Sequence, residues 1–493
     1  MKYLEAVEAG RKLVALGKFK KAIQYFKAAA EINSQNEWAY FEWGIALGCL
    51  GDHREAIIKY DQAVKIMPNF AAAYCNWGIS LQYLGCYEEA VDQFKNAIEI
   101  DPDNANLYNN HGLALYELNR YEEAVEQFKK AIEIDPENAD LYNNHSLALY
   151  KLSCYEEAIK QVKKAIKINP KDAEFYFNHG LALSALSNYE AAIEQFKKAI
   201  ENNPKDESAY FCLGNSLLNL DKYTDASHQY KRATEIEPQF AEAYGNWGNA
   251  LFLSNKYKLA TKKYRKAIIL AFAKISNNYD YTRELFKFTA INKDTLSNLA
   301  NKQVFFQNPS NFNDPLDSPL ITQHEAQIPK PLRDLVLKVR VFSLARQHVR
   351  GKKPYSSILM WSHYADQHKG LCIGYKFKGD LFGKHSLCLG DINYTNTIRD
   401  DYWQSVESTI KSGFFQKYQS WRYEHESRII WLPMKDNCNG CMEMSDGIEI
   451  SSVTFGYKTS DSDIALVKQL LGDGIIFYRV RYSDSEKLNR SKI

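Results

Sequence analysis

The sequence predicts an all-α superhelical solenoid of helix pairs followed by an α+β domain. Two observations predict the solenoid: a set of small and aromatic residues that recurs every 34 positions, and a proline that closes most units. A third predicts the second domain, because the period stops near residue 275 and mixed strand-like and helix-like segments follow. The predicted boundaries are 1–274 for eight helix pairs of 34 residues and 275–493 for the α+β part.

The first unit carries Gly10, Ala22, Phe26 and Ala29. The second carries Gly44, Ala56, Tyr60 and Ala63, with Pro68 after them. Then come Gly78, Ala90, Phe94, Ala97 and Pro102, and Gly112, Ala124, Phe128, Ala131 and Pro136. The fifth unit reads Ser146, Ala158, Val162, Ala165 and Pro170. Gly180, Ala192, Phe196, Ala199 and Pro204 follow, then Gly214, Ala226, Tyr230, Ala233 and Pro238, then Gly248, Ala260, Tyr264 and Ala267. Small residues at fixed places let two helices approach closely, and the aromatic fills the gap beside them. Proline ends the second helix because the residue before it disfavours the α region. Asp101, Asp135, Asn169 and Asn203 before proline suit that turn. One such hairpin cannot bury its apolar face alone, so the units stack into a quasi-one-dimensional array with a concave inner surface. On these residues the chain resembles the tetratricopeptide repeat family across about residues 3–274. That resemblance implies a solenoid that holds another polypeptide.

Two residues before the small residue of five units stand Asn76, Asn110, Asn144, Asn178 and Asn246. Two residues turn a helix by about 200°, so these amides point away from the packed seam. Family geometry implies that they line the concave face. Adjacent first helices lie about 10 Å apart, and an extended chain rises about 3.3 Å per residue. One Asn then meets a bound backbone about every third residue, and an amide both donates and accepts. The row resembles the asparagine ladder in the tetratricopeptide arm of O-linked N-acetylglucosamine transferases. It breaks at Glu42 and Cys212. Passive inheritance through duplication of the near-identical units over 71–170 is the competing explanation; against it, Asn is poor in a helix interior. The first helices lack the basic residues of the family's carboxylate clamp, so no preference for C-terminal carboxylates is implied. The expected partner is a protein or an extended peptide segment.

His111, His145 and His179 share the same period. Metal ligands must converge within a few ångströms, and residues one repeat apart do not. These histidines occupy a packing position held by Trp43, Trp77 and Trp247 elsewhere, so a packing role is expected and no metal.

Beyond the joint at Ser276-Asn277-Asn278, strands are expected at 284–289, 303–307, 338–344, 371–377, 427–432 and 448–455. A strand at 474–482 is expected to close the sheet, with helices at 295–301 and 461–471 and a loop at 311–315. Four phrases in order, Leu285-Phe286-Lys287-Phe288, Phe312-Asn313-Asp314-Pro315, Met360-Trp361-Ser362-His363-Tyr364-Ala365 with His368 and Gly370, and Trp421-x-Tyr423-Glu424-x-Glu426-x-Arg428, resemble a family of uncharacterised bacterial domains, domain-of-unknown-function family 2971, over about 281–482. The family implies no activity.

Chemistry is expected, if anywhere, at His363, Tyr364, Glu424, Glu426 and Arg428, which together suit acid–base or transfer work. Extended backbone at 424–426 puts both carboxylates on one side. A Glu-x-Glu before a strand resembles ADP-ribosyltransferases, in which a Glu stabilises the positive charge that develops as nicotinamide leaves NAD. Ser362 and Lys287 would complete that likeness, with NAD as cofactor under this alternative and none otherwise. The same glutamates suit ion pairs with Arg422 and Arg428 on an exposed strand. Cys438 and Cys441 have metal-ligand spacing without a second pair, and Asn439-Gly440 between them suits a hairpin turn. A basic stretch, Lys338, Arg340, Arg346, His348, Arg350, Lys352 and Lys353, has few interleaved aromatics for stacking bases.

The chain's 493 residues exceed what one core organises. Its 62 Lys and Arg balance 60 Asp and Glu, which argues against a globally basic nucleic-acid binder. No apolar stretch reaches the length of a membrane span, the longest notable run being 268–273. An odd count of nine scattered cysteines fits free thiols, and no secretory signal is visible, so a cytoplasmic location is expected.

Overall fold

Helix pairs follow one another from the N-terminus: α1 (Lys2–Ala15) with α2 (Phe19–Ile32), α3 (Glu37–Cys49) with α4 (His53–Ile66), and α5 (Ala71–Tyr83) with α6 (Tyr87–Ile100). Next are α7 (Ala105–Glu117) with α8 (Tyr121–Ile134), α9 (Ala139–Lys151) with α10 (Tyr155–Ile168), and α11 (Ala173–Ala185) with α12 (Tyr189–Asn202). The computed structural model describes residues 2–276, 285–301, 303–305, 330–331, 340–345, 369–377, 387–391, 393–395, 416–418, 426–431, 441–443, 448–456, 458–472, 475–482 and 488–493. The chain divides into two units, Met1–Leu220 and Asp221–Ile493, and α13 (Glu207–Asn219) is the last helix of the first.

The repeat set works in the first unit as its chemistry requires. A Cβ added to Gly10, Gly44, Gly78, Gly112 or Gly180 would stand 2.4–2.7 Å from a ring carbon of Phe26, Tyr60, Phe94, Phe128 or Phe196. No side chain fits there. In the fifth pair Ser146 stands in place of glycine, and Val162 stands in place of the ring; both are buried. The smaller partner makes room for the larger one.

A second signal runs at the same period. Gly17, Gly51, Gly85, Asn119, Ser153 and Ser187 all have φ between 58° and 80°. Each follows the first helix of its pair and lets the chain reverse. In the third pair the Cys86 N–H donates to the Leu81 carbonyl and the Gly85 N–H to Gln82, both at 2.9 Å. The fourth pair repeats this with Arg120 to Leu115 and Asn119 to Tyr116, again at 2.9 Å. The side chains of Asn36, Asn104, Asn138, Asp172 and Asp206 cap the N-termini of α3, α7, α9, α11 and α13. Phe70 makes no such bond before α5; its ring packs 4.8 Å from Trp38 and 4.7 Å from Phe41.

The second unit opens with α14 (Tyr223–Ile236), α15 (Ala241–Leu253) and α16 (Tyr257–Ser276). Gly248 meets the Tyr264 ring as its counterparts do, at 2.6 Å. Then come β1 (Leu285–Thr289), α17 (Lys293–Ala300), β2 (Gln303–Phe305), β3 (Arg340–Ala345), β4 (Leu371–Phe377), β5 (Leu387–Asp391), β6 (Asn393–Thr395) and β7 (Gln416–Tyr418). The last elements are β8 (Glu426–Trp431), β9 (Cys441–Glu443), β10 (Ile448–Phe455), α18 (Asp461–Leu471), β11 (Ile476–Tyr482) and β12 (Leu488–Lys492). Eight strands form one sheet in the order β12-β11-β10-β4-β1-β3-β8-β5, and β2/β9 and β6/β7 pair separately. Helix α16 lies beside β5.

Within the large sheet β10 and β11 alone are parallel, and α18 is the crossover that a parallel pair needs. Leu371, Cys372, Ile373 and Tyr375 of β4 are buried without alternation, as in a strand covered on both faces. Ile464 and Val467 of α18 and Val453 and Phe455 of β10 are buried too. The segment expected to close the sheet does not: β12 pairs outside β11, so the edge is one strand further on. The loop expected at 311–315 lies outside the described residues.

Candidate functional site

Successive first helices of the N-terminal unit touch one another, α1 with α3, α3 with α5, and so on to α11 with α13. Among the described residues of that unit, successive second helices make no comparable contact. The first helices therefore line the inner side of the stack.

The ladder asparagines lie on those helices and are tied into them. Asn76 Nδ2 donates to the Ala72 carbonyl of its own helix at 2.9 Å. Asn110 Nδ2 meets Cys75 Sγ at 3.7 Å, Asn144 Nδ2 donates to Asn109 Oδ1 at 2.9 Å, and Asn178 Nδ2 donates to Asn143 Oδ1 at 2.9 Å. Three bonds thus reach back 35 residues, one more than the period. Asn143 Nδ2 in turn donates to Glu174 Oε1 at 3.1 Å. Asn76, Asn110 and Asn144 are half-buried, and Asn178 is buried. Asn246, in the second unit, accepts from Asn249 Nδ2 at 3.4 Å, while Asn249 Oδ1 accepts from the Tyr264 hydroxyl at 2.8 Å.

The two breaks in the row have their own chemistry. Glu42 pairs with Arg11 Nε at 2.5 Å. Burial pushes the Cys212 thiol up to about 12, so it stays protonated.

His111, His145 and His179 are buried on α7, α9 and α11. Burial is the first cause that lowers each to about 4. Lys95, Lys129 and Lys163, each on the preceding second helix, are the second. Both ring nitrogens of His145 and Nδ1 of His179 lack a hydrogen-bond partner, while Gln127 beside His111 and Gln195 beside His179 oppose the shift only in part. The three are neutral packing residues at neutral pH. At the matching place in other pairs, Lys59 covers the Trp43 ring at 4.2 Å and Lys263 covers the Trp247 ring at 3.2 Å. Burial, then Lys262 and Lys231, lowers Lys263 to about 8.

In the second unit, Glu426 opens β8 and Arg428 follows two residues later on the same face of that strand. Register aligns Phe286, Ala345 and Glu426 across β1, β3 and β8. Aligned positions share a face of a sheet, so position 287 falls on the opposite face from position 426. Ser362, His363, Tyr364 and Glu424 lie outside the described residues, as do Cys438, Lys338 and residues 346–353. Arg340 is the first residue of β3, registered with Trp431 of β8, and Cys441 is the first residue of β9, registered with Phe305 of β2. Among the described residues no group of three His, Cys, Asp or Glu is placed to hold a metal, and no helix is long and apolar enough to cross a membrane.

Sequence reasoning missed Cys75, Asn109 and Asn143, the three acceptors of the bonds that reach back. The signal for the two asparagines was available as the Asn-Asn pairs at 109–110 and 143–144.

Comparison with known families agrees with both parts. Models described as "Tetratricopeptide repeat" match residues 9–36, 69–137 and 213–274, and one described as "TPR repeat" matches 147–187 and 180–221. "Protein of unknown function (DUF2971)" matches residues 360–429. No curated protein matches the chain. Among solved structures, YrrB, described as a TPR protein with an unusual peptide-binding site, is 24% identical with a TM-score of 0.34, over 37% of this chain and 95% of its own. A tetratricopeptide repeat protein from Parabacteroides merdae is 18% identical with a TM-score of 0.42, over 51% of this chain and 99% of its own. PilF of Pseudomonas aeruginosa is 20% identical with a TM-score of 0.37, over 41% of this chain and 92% of its own.

Proposed function

Starting from an N-terminal array of tetratricopeptide repeats joined to a strand-rich C-terminal part with a match to DUF2971, we propose that the protein holds an extended polypeptide segment along the inner face of its first helices and couples that segment with the C-terminal part. One observation carries this reading. Asn76, Asn110 and Asn144 recur at the same place on three successive first helices, half-buried, each with Nδ2 engaged. A row of amides at one spacing suits a ligand that is itself a repeating amide polymer.

The test is retention of a random-sequence decapeptide library on the immobilised full-length protein. The N76A/N110A/N144A variant is expected to retain at least tenfold less peptide, with helicity unchanged by circular dichroism. Equal retention by a variant of unchanged helicity would remove the ladder from the binding face.

A further inference from the structure

We infer that the inner face presents hydrogen-bond acceptors and negative charge, and that it takes an extended segment rich in lysine and arginine. The assignment rests on the groove reading above and adds the chemistry of the occupant. It follows from the direction in which the amides are turned.

A carboxylate can only accept. Glu174 therefore fixes Asn143 with Nδ2 toward Glu174, which leaves Asn143 Oδ1 for Asn178 Nδ2. A backbone carbonyl can only accept as well, and Ala72 fixes Asn76 in the same sense. Between these two anchors, Asn110 and Asn144 turn Nδ2 toward the preceding pair, as Asn178 does. Each of the four ladder amides of the first unit, Asn76, Asn110, Asn144 and Asn178, so points its nitrogen into the protein and its oxygen away from that bond. The half-buried members Asn76, Asn110 and Asn144 then offer Oδ1 to a ligand.

The charges on the same helices agree. Helices α5, α7, α9, α11 and α13 carry Glu117, Asp140, Glu174 and Glu207 against the single base Lys151. Asp140 and Glu174 are exposed four residues before Asn144 and Asn178, which places them on the same helix face. The buried histidines of these helices are neutral and add no positive charge. A backbone N–H, an ammonium or a guanidinium group finds acceptors on such a face. A phosphate or carboxylate finds only one cation, Lys151, on these five helices, which sets nucleic acid and acidic peptides apart as occupants.

The decapeptide library decides the matter when the retained pool is sequenced. Lysine plus arginine should be enriched at least threefold over the input, and retention should fall as salt rises. The exposed Asp140 is the discriminating position: D140K should at least halve that enrichment while the protein keeps its helicity. A retained pool rich in Asp and Glu, or matching the input, overturns the acceptor inference and leaves segment capture standing. Unchanged selection by D140K also overturns it. Retention of no peptide at all overturns this inference and the groove reading together.

Discussion

A serine at position 146 brings a Cβ and an oxygen to a place where other units present a bare α-carbon to an aromatic ring. Val162 opposite it is the compensating change. V162F alone should overpack the seam and cost about 1–3 kcal/mol. S146G/V162F should recover most of that loss, because it restores the pair used in the neighbouring units. Chemical denaturation of the single and double variants measures the coupling, and additive losses would contradict it. The buried histidines give a second residue-scale expectation. Their folded value of about 4 lies below about 6.5 in an unfolded chain, so the unfolded chain binds more protons between the two. Stability is complete above about pH 6.5, falls as the pH drops toward 4 and levels off below. Each histidine contributes up to about 3 kcal/mol to that loss. The fall in urea midpoint from pH 7 to pH 4.5 should be smaller in H111Q/H145Q/H179Q than in the wild type. Equal falls would mean that carboxylates account for the whole acid response.

At the level of elements, the turn inside each pair is the most regular feature that sequence reasoning passed over. Glycine at 17, 51 and 85 gives way to Asn119, Ser153 and Ser187 at the same left-handed φ. An L-residue pays roughly 1 kcal/mol for that conformation. S187G should raise stability by about that amount in a denaturant titration. N119G should gain less, since Asn119 Oδ1 accepts from the Tyr121 hydroxyl at 2.6 Å and glycine loses that bond. The helix pairs were legible because their signals are local and repeated. Strands β4 and β10 and helix α18 were legible to the residue, because each is long enough to show its own pattern. Strands β2, β6, β7 and β9 span three residues each, too few for a period. Of these, β2 was found within a longer expected strand, whereas β6, β7, β9 and the longer β5 were not foreseen. Edge strand β12 is polar, Leu488-Asn489-Arg490-Ser491-Lys492, and is a strand through its pairing with β11. The ladder positions were visible in sequence, but the direction of their bonds was not, because it depends on Glu174 and Ala72 in space.

For the whole molecule, stacking of like units makes coupling short-ranged in the N-terminal unit. A defect at Val162 should raise amide hydrogen exchange in α9, α10 and α11, which adjoin it, and leave α1–α4 unchanged. Exchange that rose evenly through α1–α13 would show that the unit opens as one block. The bonds that step back 35 residues, where the period is 34, bear on this too. Neighbouring residues stand about 100° apart around a helix. A first helix thus greets the one before it at one residue and the one after it from the residue just before, on flanks about 100° apart. Opposite flanks, 180° apart, would lay helices in a flat row. Tying them on nearer flanks draws the row into an arc that closes toward the amides. In α5–α11 a single residue of offset between bond and period is therefore a bend, repeated at three successive steps.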